Sequence, residues 1–161
     1  MSGRHDDRTA IHELKARYFR LMDTKQWNLW RHCFTDDMVF YMEDSALPDT
    51  TTPISTDGDT FVEDVSKVLT NAVTVHHGHM PEIDFTGERS AKGIWSMYDW
   101  VDDQKSGFAI QGAGHYHELY ELGADNRWRI KEIRLTRLRV DTLSPTEPSS
   151  KRPWPPAWTR P

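Results

Sequence analysis

Two features of this 161-residue sequence have the side chains and the spacing for acid–base chemistry. Asp23 closes a segment whose apolar residues recur at helical spacing, and the run VHHGH at residues 75–79 lies in a segment typical of a β-strand. The negative end of a helix dipole and oily surroundings both oppose the charge of an aspartate, which favours a role as a base or as the orienter of a histidine. If the fold brings the two features together, they form an Asp/His pair in an apolar pocket. Such a pair suits proton abstraction or elimination on a small hydrophobic molecule.

Both features also have simpler interpretations. Residues 23–25 could form an exposed turn held by a side chain-to-backbone hydrogen bond. Along a strand successive side chains alternate, so His76 points one way while His77 and His79 point the other. Only one of these two sets can therefore face a pocket.

A second histidine pair, His115 and His117, shares one face of a later predicted strand, with Tyr116 and Glu118 on the opposite face. Together with Glu121, the two histidines resemble the ligands that a cupin barrel uses for iron, manganese or zinc. The glycine spacing around them and the helices that open the chain do not fit a cupin. A His-ligated metal enzyme is therefore the weaker alternative.

Arg134 and Arg137 are the cationic candidates on the last predicted strand. Because they fall on opposite faces, at most one points inward. An inward arginine could hold a substrate carboxylate or stabilise developing oxyanion charge. An outward one would be solvated or lie at a subunit interface.

Composition excludes several classes of function. A net charge of −5 and a sequence pI near 5.9 argue against binding to a phosphate backbone. A single cysteine, Cys33, excludes an internal disulfide and favours a reducing cytoplasm. No apolar stretch is long enough for a membrane helix, and the polar start is unlike a signal peptide. No nucleophile elbow or phosphate-binding glycine loop occurs, so we expect a soluble cytoplasmic domain without a cofactor.

The hydrophobic patterns predict helices first and long strands afterwards. The first helix turns Ile11, Leu14, Tyr18, Leu21 and Met22 inward and Glu13, Lys15, Arg17 and Arg20 outward. After it the sequence predicts a short helix with Trp27, Trp30 and Phe34, a strand at 38–42, a loop at 44–56 and a helix through Phe61–Leu69. Four strand runs, 73–86, 91–101, 107–121 and 127–142, are long enough that bends or bulges are expected.

This order predicts an α+β fold in which three N-terminal helices cover one face of a strongly curved antiparallel sheet, forming a cone-shaped α+β barrel. Residues 1–143 make the domain, and 144–161 form a Pro/Trp-rich tail that either packs on a surface or is disordered. The interior of the cone is apolar and open at one end. Its predicted lining is Phe40, Trp95, Met97, Tyr98, Trp100, Phe108, Tyr116 and Tyr120.

Several phrases of the sequence, among them AIHELKARYFRLMDTKQW, TVHHGHMPEIDF, AKGIWSMYDWV and GHYHELYEL, resemble the SnoaL-like branch of the nuclear transport factor 2-like superfamily over residues 8–142. The branch includes scytalone dehydratase, bile-acid 7α-dehydratase and hexachlorocyclohexane dehydrochlorinase. The resemblance implies the cone fold, frequent pairing through the outer sheet face, and an Asp/His pair at Asp23 and His76. It also implies a role for Tyr18, five residues before the aspartate, and for one arginine of the last strand.

The resemblance therefore implies a cofactor-independent lyase (dehydratase-like) or isomerase that uses Asp23, His76 and Tyr18 on a small hydrophobic ring-containing substrate. The substrate-binding residues would be Arg134 or Arg137, Tyr116, Trp95, Met97, Phe40 and one of His115 and His117. A homodimer is expected, with neither nucleic acid nor membrane as a partner. The alternative is a non-catalytic small-molecule-binding or scaffold domain of the same fold.

Overall fold

The first amphipathic segment forms the helix α1 (Gly3–Asp23), as the sequence predicts. A computed structural model describes residues 3–43, 51–103 and 105–144 of the chain. The predicted apolar stripe of α1 is buried, and Ile11 is fully covered. One residue of the predicted outer face is misplaced: Lys15 is 1% exposed and lies inside the protein. Its burial requires a partner, because an unpaired buried ammonium is costly.

Short elements connect α1 to the sheet. Helix α2 (Trp27–Trp30) and a 3₁₀ turn (Arg31–Cys33) lead into strand β1 (Phe34–Met42), which begins earlier than the predicted strand. Helix α3 (Gly58–Leu69) is capped by Asp57, whose carboxylate accepts a hydrogen bond of 2.7 Å from the backbone N–H of Thr60. Of the predicted loop at 44–56, residues 44–50 lie outside the described part of the chain.

Four long strands form most of the sheet: β2 (Val73–Phe85), β3 (Ser90–Asp103), β4 (Phe108–Leu122) and β5 (Trp128–Leu143). The five-stranded order is β1-β5-β4-β3-β2, so the sheet is open, with β1 and β2 at its edges. Strands β2 to β5 pair antiparallel, whereas β1 pairs parallel with β5, which makes the sheet mixed. The predicted α+β cone is confirmed, but the sheet does not close into a barrel.

The expected irregularities are present in β2 and β5. Register shifts occur between His79 and Glu82, between Ala113 and Gly114, and between Leu119 and Tyr120. We call the helix-covered side of the sheet the inner face and the opposite side the outer face. The hydrophobic core lies between the inner face and the helices.

No helix within residues 3–43, 51–103 and 105–144 combines the length and the apolar character needed to cross a membrane. Apart from Ser144, the predicted tail lies outside the described residues, so the division of the chain at residue 143 stays a prediction.

Candidate active site

Asp23 and His76 meet at the end of α1, where the helix abuts the edge strand β2. Nδ1 of His76 lies 2.6 Å from Oδ1 of Asp23, and the backbone N–H of His76 donates to Oδ2 at 2.9 Å. The Thr74 hydroxyl adds a third hydrogen bond to Oδ1, also at 2.9 Å. The His76 side chain is 7% exposed and that of Asp23 is 21% exposed. The exposed-turn interpretation of residues 23–25 therefore does not hold for Asp23, whose carboxylate is held by β2.

Lys25 extends the hydrogen-bond network of Asp23 through Thr74. Its ammonium donates to the Thr74 hydroxyl at 2.7 Å, so a chain of hydrogen bonds runs from Lys25 through Thr74 to Asp23. Burial lowers the pKa of Lys25 to about 8, although the nearby Asp23 carboxylate opposes this shift. Lys25, Thr74, Asp23 and His76 therefore form a continuous hydrogen-bond network at one edge of an otherwise aromatic interior.

Tyr18 and Tyr116 lie deeper in the cone and are both about 3% exposed. Their rings are 6.1 Å apart, and a hydrogen bond links the two hydroxyls. Burial is the main reason that the pKa of each tyrosine lies well above its ordinary value. Both phenols are therefore protonated at neutral pH and able to donate a hydrogen bond.

Below the two tyrosines lies a buried ion pair that the sequence analysis did not foresee. Nζ of Lys15 is 2.5 Å from Oε1 of Glu118, and both side chains are essentially inaccessible. The ammonium also lies 4.1 Å from the ring centre of Tyr18 and 3.7 Å from that of Tyr116. Burial lowers the pKa of Lys15, and the charge of Glu118 opposes this shift.

The predicted lining residues Trp95 and Met97 both face inward and are buried. The indole N–H of Trp95 donates to the Tyr120 hydroxyl at 2.7 Å, and that hydroxyl donates to Glu118. Phe40 packs away from the dyad, with its ring centre 4.9 Å from that of Phe61. Phe40 thus belongs to the packing between α3 and β1.

Of the two arginines on the last strand, Arg137 points inward. Arg137 forms a bidentate ion pair with Asp99 at 2.7 Å for each bond. Asp99 is directly opposite His76 in the β2–β3 register, which brings this pair beside the dyad. Arg134 lies on the outer face, 3.9 Å from the ring centre of Tyr41.

Sequence reasoning missed Asp99, although a signal was present. Asp99 stands between Tyr98 and Trp100, and the alternation of β3 gives it the same face as Trp95 and Met97. An acidic residue on an aromatic inward face requires a partner, which here is Arg137.

The other four histidines of β2 and β4 lie on the outer face of the sheet. His77 and His79 stack with ring centres 5.8 Å apart, and His115 and His117 follow on β4. His115 therefore does not line the cone in this structure, because its neighbour Tyr116 takes the inward position. In the part of the chain that the structure describes, no three His, Cys, Asp or Glu side chains form a metal-binding group. The homodimer through this face stays a prediction.

Two clefts in the described part of the chain lie away from the dyad. A cleft of ≈ 470 Å³ lies elsewhere and has a polar lining that includes Arg31, Asp36 and Arg129. A second cleft of ≈ 320 Å³ is formed by residues 25–29. Neither cleft is lined by Asp23 or His76, whose side chains are 21% and 7% exposed.

Comparison with known proteins agrees with the sequence resemblance. The profile of the SnoaL-like domain matches residues 3–134. A hexachlorocyclohexane dehydrochlorinase (LinA) of type 2 superposes with a TM-score of 0.75 at 18% identity, covering 92% of this chain and 97% of its own. A protein from Novosphingobium aromaticivorans proposed to be a scytalone dehydratase gives 0.74 at 17% identity, covering 93% and 100%. A type-3 dehydrochlorinase from Novosphingobium barchaimii gives 0.74 at 17% identity, covering 90% and 97%. At these identities the three structures are similar to this chain in fold.

Proposed function

The chain belongs to the SnoaL-like domain family, and on that premise we propose that it is a cofactor-independent lyase or isomerase for a small hydrophobic ring-containing substrate. The observation that carries the proposal is the 2.6 Å contact between Nδ1 of His76 and Oδ1 of Asp23. The dehydratase and dehydrochlorinase names of structures with the same fold support it, because both reactions eliminate a group after loss of a proton from carbon.

His76 is the base in this proposal. A carboxylate can only accept hydrogen bonds, so the hydrogen between the two side chains resides on Nδ1 of His76. Nε2 then carries the lone pair that takes a proton from the substrate carbon. Asp23 fixes the orientation and tautomer of the ring and stabilises the imidazolium that forms.

The electrons of the broken C–H bond form a new double bond in the substrate. In an elimination, the pair that joined the leaving group departs with it, and Tyr18 gives a departing hydroxyl its proton to form water. The proton that His76 took then passes to the Tyr18 phenolate, which restores both groups. Where the leaving group is chloride, Tyr18 keeps its proton and the imidazolium of His76 releases its proton to solvent. In an isomerisation, no group leaves and the proton is returned to a different carbon.

Arg137 and Tyr116 supply the polar contacts for a substrate oxygen. Nη1 and Nη2 of Arg137 donate to the two carboxylate oxygens of Asp99, and a guanidinium held in this way is a cation suited to a substrate carbonyl or carboxylate. Asp99 holds the guanidinium beside His76, so charge that develops on a substrate oxygen would meet a positioned cation.

The first experiment measures proton abstraction directly. The protein is incubated in D₂O with cyclic β-hydroxyketones, steroid-like and polyketide-like ring ketones, and hexachlorocyclohexane. NMR then follows deuterium incorporation and alkene formation. We expect at least one compound to exchange or eliminate, and both Asp23→Asn and His76→Ala to abolish this activity without unfolding the protein.

The matched control is His77→Ala, which removes the next histidine on the same strand but from the outer face. This variant should retain full activity. Full turnover in the Asp23 or His76 variant would exclude the mechanism. Compounds that perturb the His76 resonances but never exchange a proton would support a binding domain instead.

A further inference from the structure

The imidazole of His76 is covered in this structure, and the residues that cover it differ in how firmly they are held. Asp23 is fixed by three hydrogen bonds from β2. Asp99, opposite His76 in register, is fixed by its two bonds to Arg137. Phe19 is the third neighbour, and its ring is nearly parallel to the imidazole, with centres 6.5 Å apart and an angle of 10°.

Phe19 occupies its position through ring contacts. It lies one helical turn before Asp23 on α1 and is only partly buried. The centres of its ring and those of Tyr18 and Tyr116 are 5.3 and 5.9 Å apart. The ammonium of Lys15 lies 4.6 Å from the ring centre of Phe19. Of the three neighbours of His76, Phe19 is therefore the one that no hydrogen bond or ion pair holds in place.

The space under the Phe19 ring exists because residue 78 is a glycine. A Cβ atom at Gly78 would lie 2.7 and 2.8 Å from two ring carbons of Phe19, and 3.4 Å from the indole of Trp95. Such distances to Phe19 are shorter than contacts between real side chains. The strand β2 thus presents bare backbone beside His76, and the flat ring of Phe19 lies on it.

We propose that Phe19 occupies the binding position of the substrate ring and determines the specificity of the site. On binding, the Phe19 side chain rotates outward, and a planar, unsaturated ring takes its place on Gly78 beside the imidazole. Tyr116 and Arg137 then lie within the same inner-face region to receive the oxygen of that ring. The substrate class is therefore a flat, partly unsaturated ring with a conjugated oxygen, such as a cyclic enone, which keeps a carbon whose proton His76 can take. The binding of a flat ring follows from the geometry, whereas its being a substrate rests on the proposed function.

The first test deletes the Phe19 ring and supplies phenol as a free aromatic ring in its place. Phenol is titrated into Phe19→Ala, and binding is followed by the NMR signals of the His76 imidazole and the Gly78 amide. We expect phenol to bind at least tenfold more tightly than to the unmodified protein, because an apolar space of about one benzene ring readily accepts an aromatic ligand. The His76 and Gly78 signals should shift together.

The matched control is Phe85→Ala, which deletes another partly buried phenylalanine of the core at the far end of β2, where it packs on Trp128. This variant should not bind phenol near His76. Equal phenol affinity in Phe19→Ala and the unmodified protein, with no shift at His76, would overturn the proposal.

A second variant tests the mobility of Phe19 without emptying the site. Gly78→Ala places a methyl group against the far end of the Phe19 side chain. We expect a folded protein in which the ring-current shift of Phe19 on the His76 protons is lost. A protein that unfolds, or one in which Phe19 stays over His76, would show that this ring is fixed core and would refute the proposal.

The failures of the two proposals are distinguishable. If Phe19→Ala binds phenol but no compound exchanges a proton, the binding position is right and the catalytic function is wrong. If Asp23→Asn abolishes turnover while Phe19→Ala binds no ring, the function stands and Phe19 serves only packing.

Discussion

Replacement of Asp23 by asparagine is the sharpest perturbation that the structure offers. The carboxylate accepts from Nδ1 of His76, from the backbone N–H of His76 and from the Thr74 hydroxyl. Asparagine has nearly the same shape but only one accepting oxygen, and its NH₂ group must face one of these three donors. Asp23→Asn therefore loses at least one charge-assisted hydrogen bond and sets a donor against a donor.

The expected cost follows from that count. A hydrogen bond to a charged group contributes about 1.5–3 kcal/mol, so we expect the free energy of unfolding to fall by about 2 kcal/mol. For a chain of this length the melting temperature should fall by about 4–8 °C. Turnover should fall by about 10⁴, the loss seen when a catalytic histidine loses its carboxylate partner and takes the wrong tautomer.

The assay combines urea unfolding with ¹⁵N NMR of the histidine rings. In the unmodified protein the hydrogen of neutral His76 should reside on Nδ1, and in Asp23→Asn it should move to Nε2. Asp84→Asn is the control, because Asp84 lies on the same strand with an exposed side chain. An unmodified protein with the hydrogen on Nε2 would refute the reasoning, as would a variant with unchanged tautomer and stability.

Three further predictions concern groups outside the dyad. Lys15→Met should lower the free energy of unfolding by about 3–5 kcal/mol, because it leaves the carboxylate of Glu118 buried without its cation. Adding Glu118→Gln should restore most of that loss, as measured by urea titration. Burial, with the charges of His115 and Arg134, lowers the pKa of His117 in the folded protein below its ordinary value of about 6.5. As the pH falls below about 6.5, the unfolded state binds a proton at this histidine before the folded state does. The free energy of unfolding therefore decreases until the pH has passed the lowered pKa of the folded protein. His117→Gln should reduce the stability lost between pH 7 and pH 5, by less than about 1 kcal/mol for a partly exposed group, and an unchanged pH profile would contradict this. Burial raises the pKa of Cys33 to about 12, so a disulfide reagent at pH 8 should label the native thiol at least about 10³-fold more slowly than the urea-unfolded one.

The sequence by itself determined the features that depend on local periodicity. Helical spacing identified α1 and placed Asp23 at its end, and strand alternation put His76 on the face opposite to His77 and His79. These inferences needed only the 3.6-residue and 2-residue periods, because the period fixes which side chains share a face. The same alternation limited the inward arginines to one of Arg134 and Arg137.

Only the tertiary structure decided which distant residues meet. The helical period placed Lys15 on the outer face of α1, whereas the structure buries it against Glu118, which lies 103 positions later. The pairing of Arg137 with Asp99 and the contact of Phe19 with Gly78 depend on strand register and on how α1 lies across the sheet. These relations join residues far apart in the chain, and no local period encodes such distances. Residue types and positions therefore identified Asp23 and His76 as candidates, whereas their contact across 53 positions and the place of the Phe19 ring beside it depend on the tertiary structure.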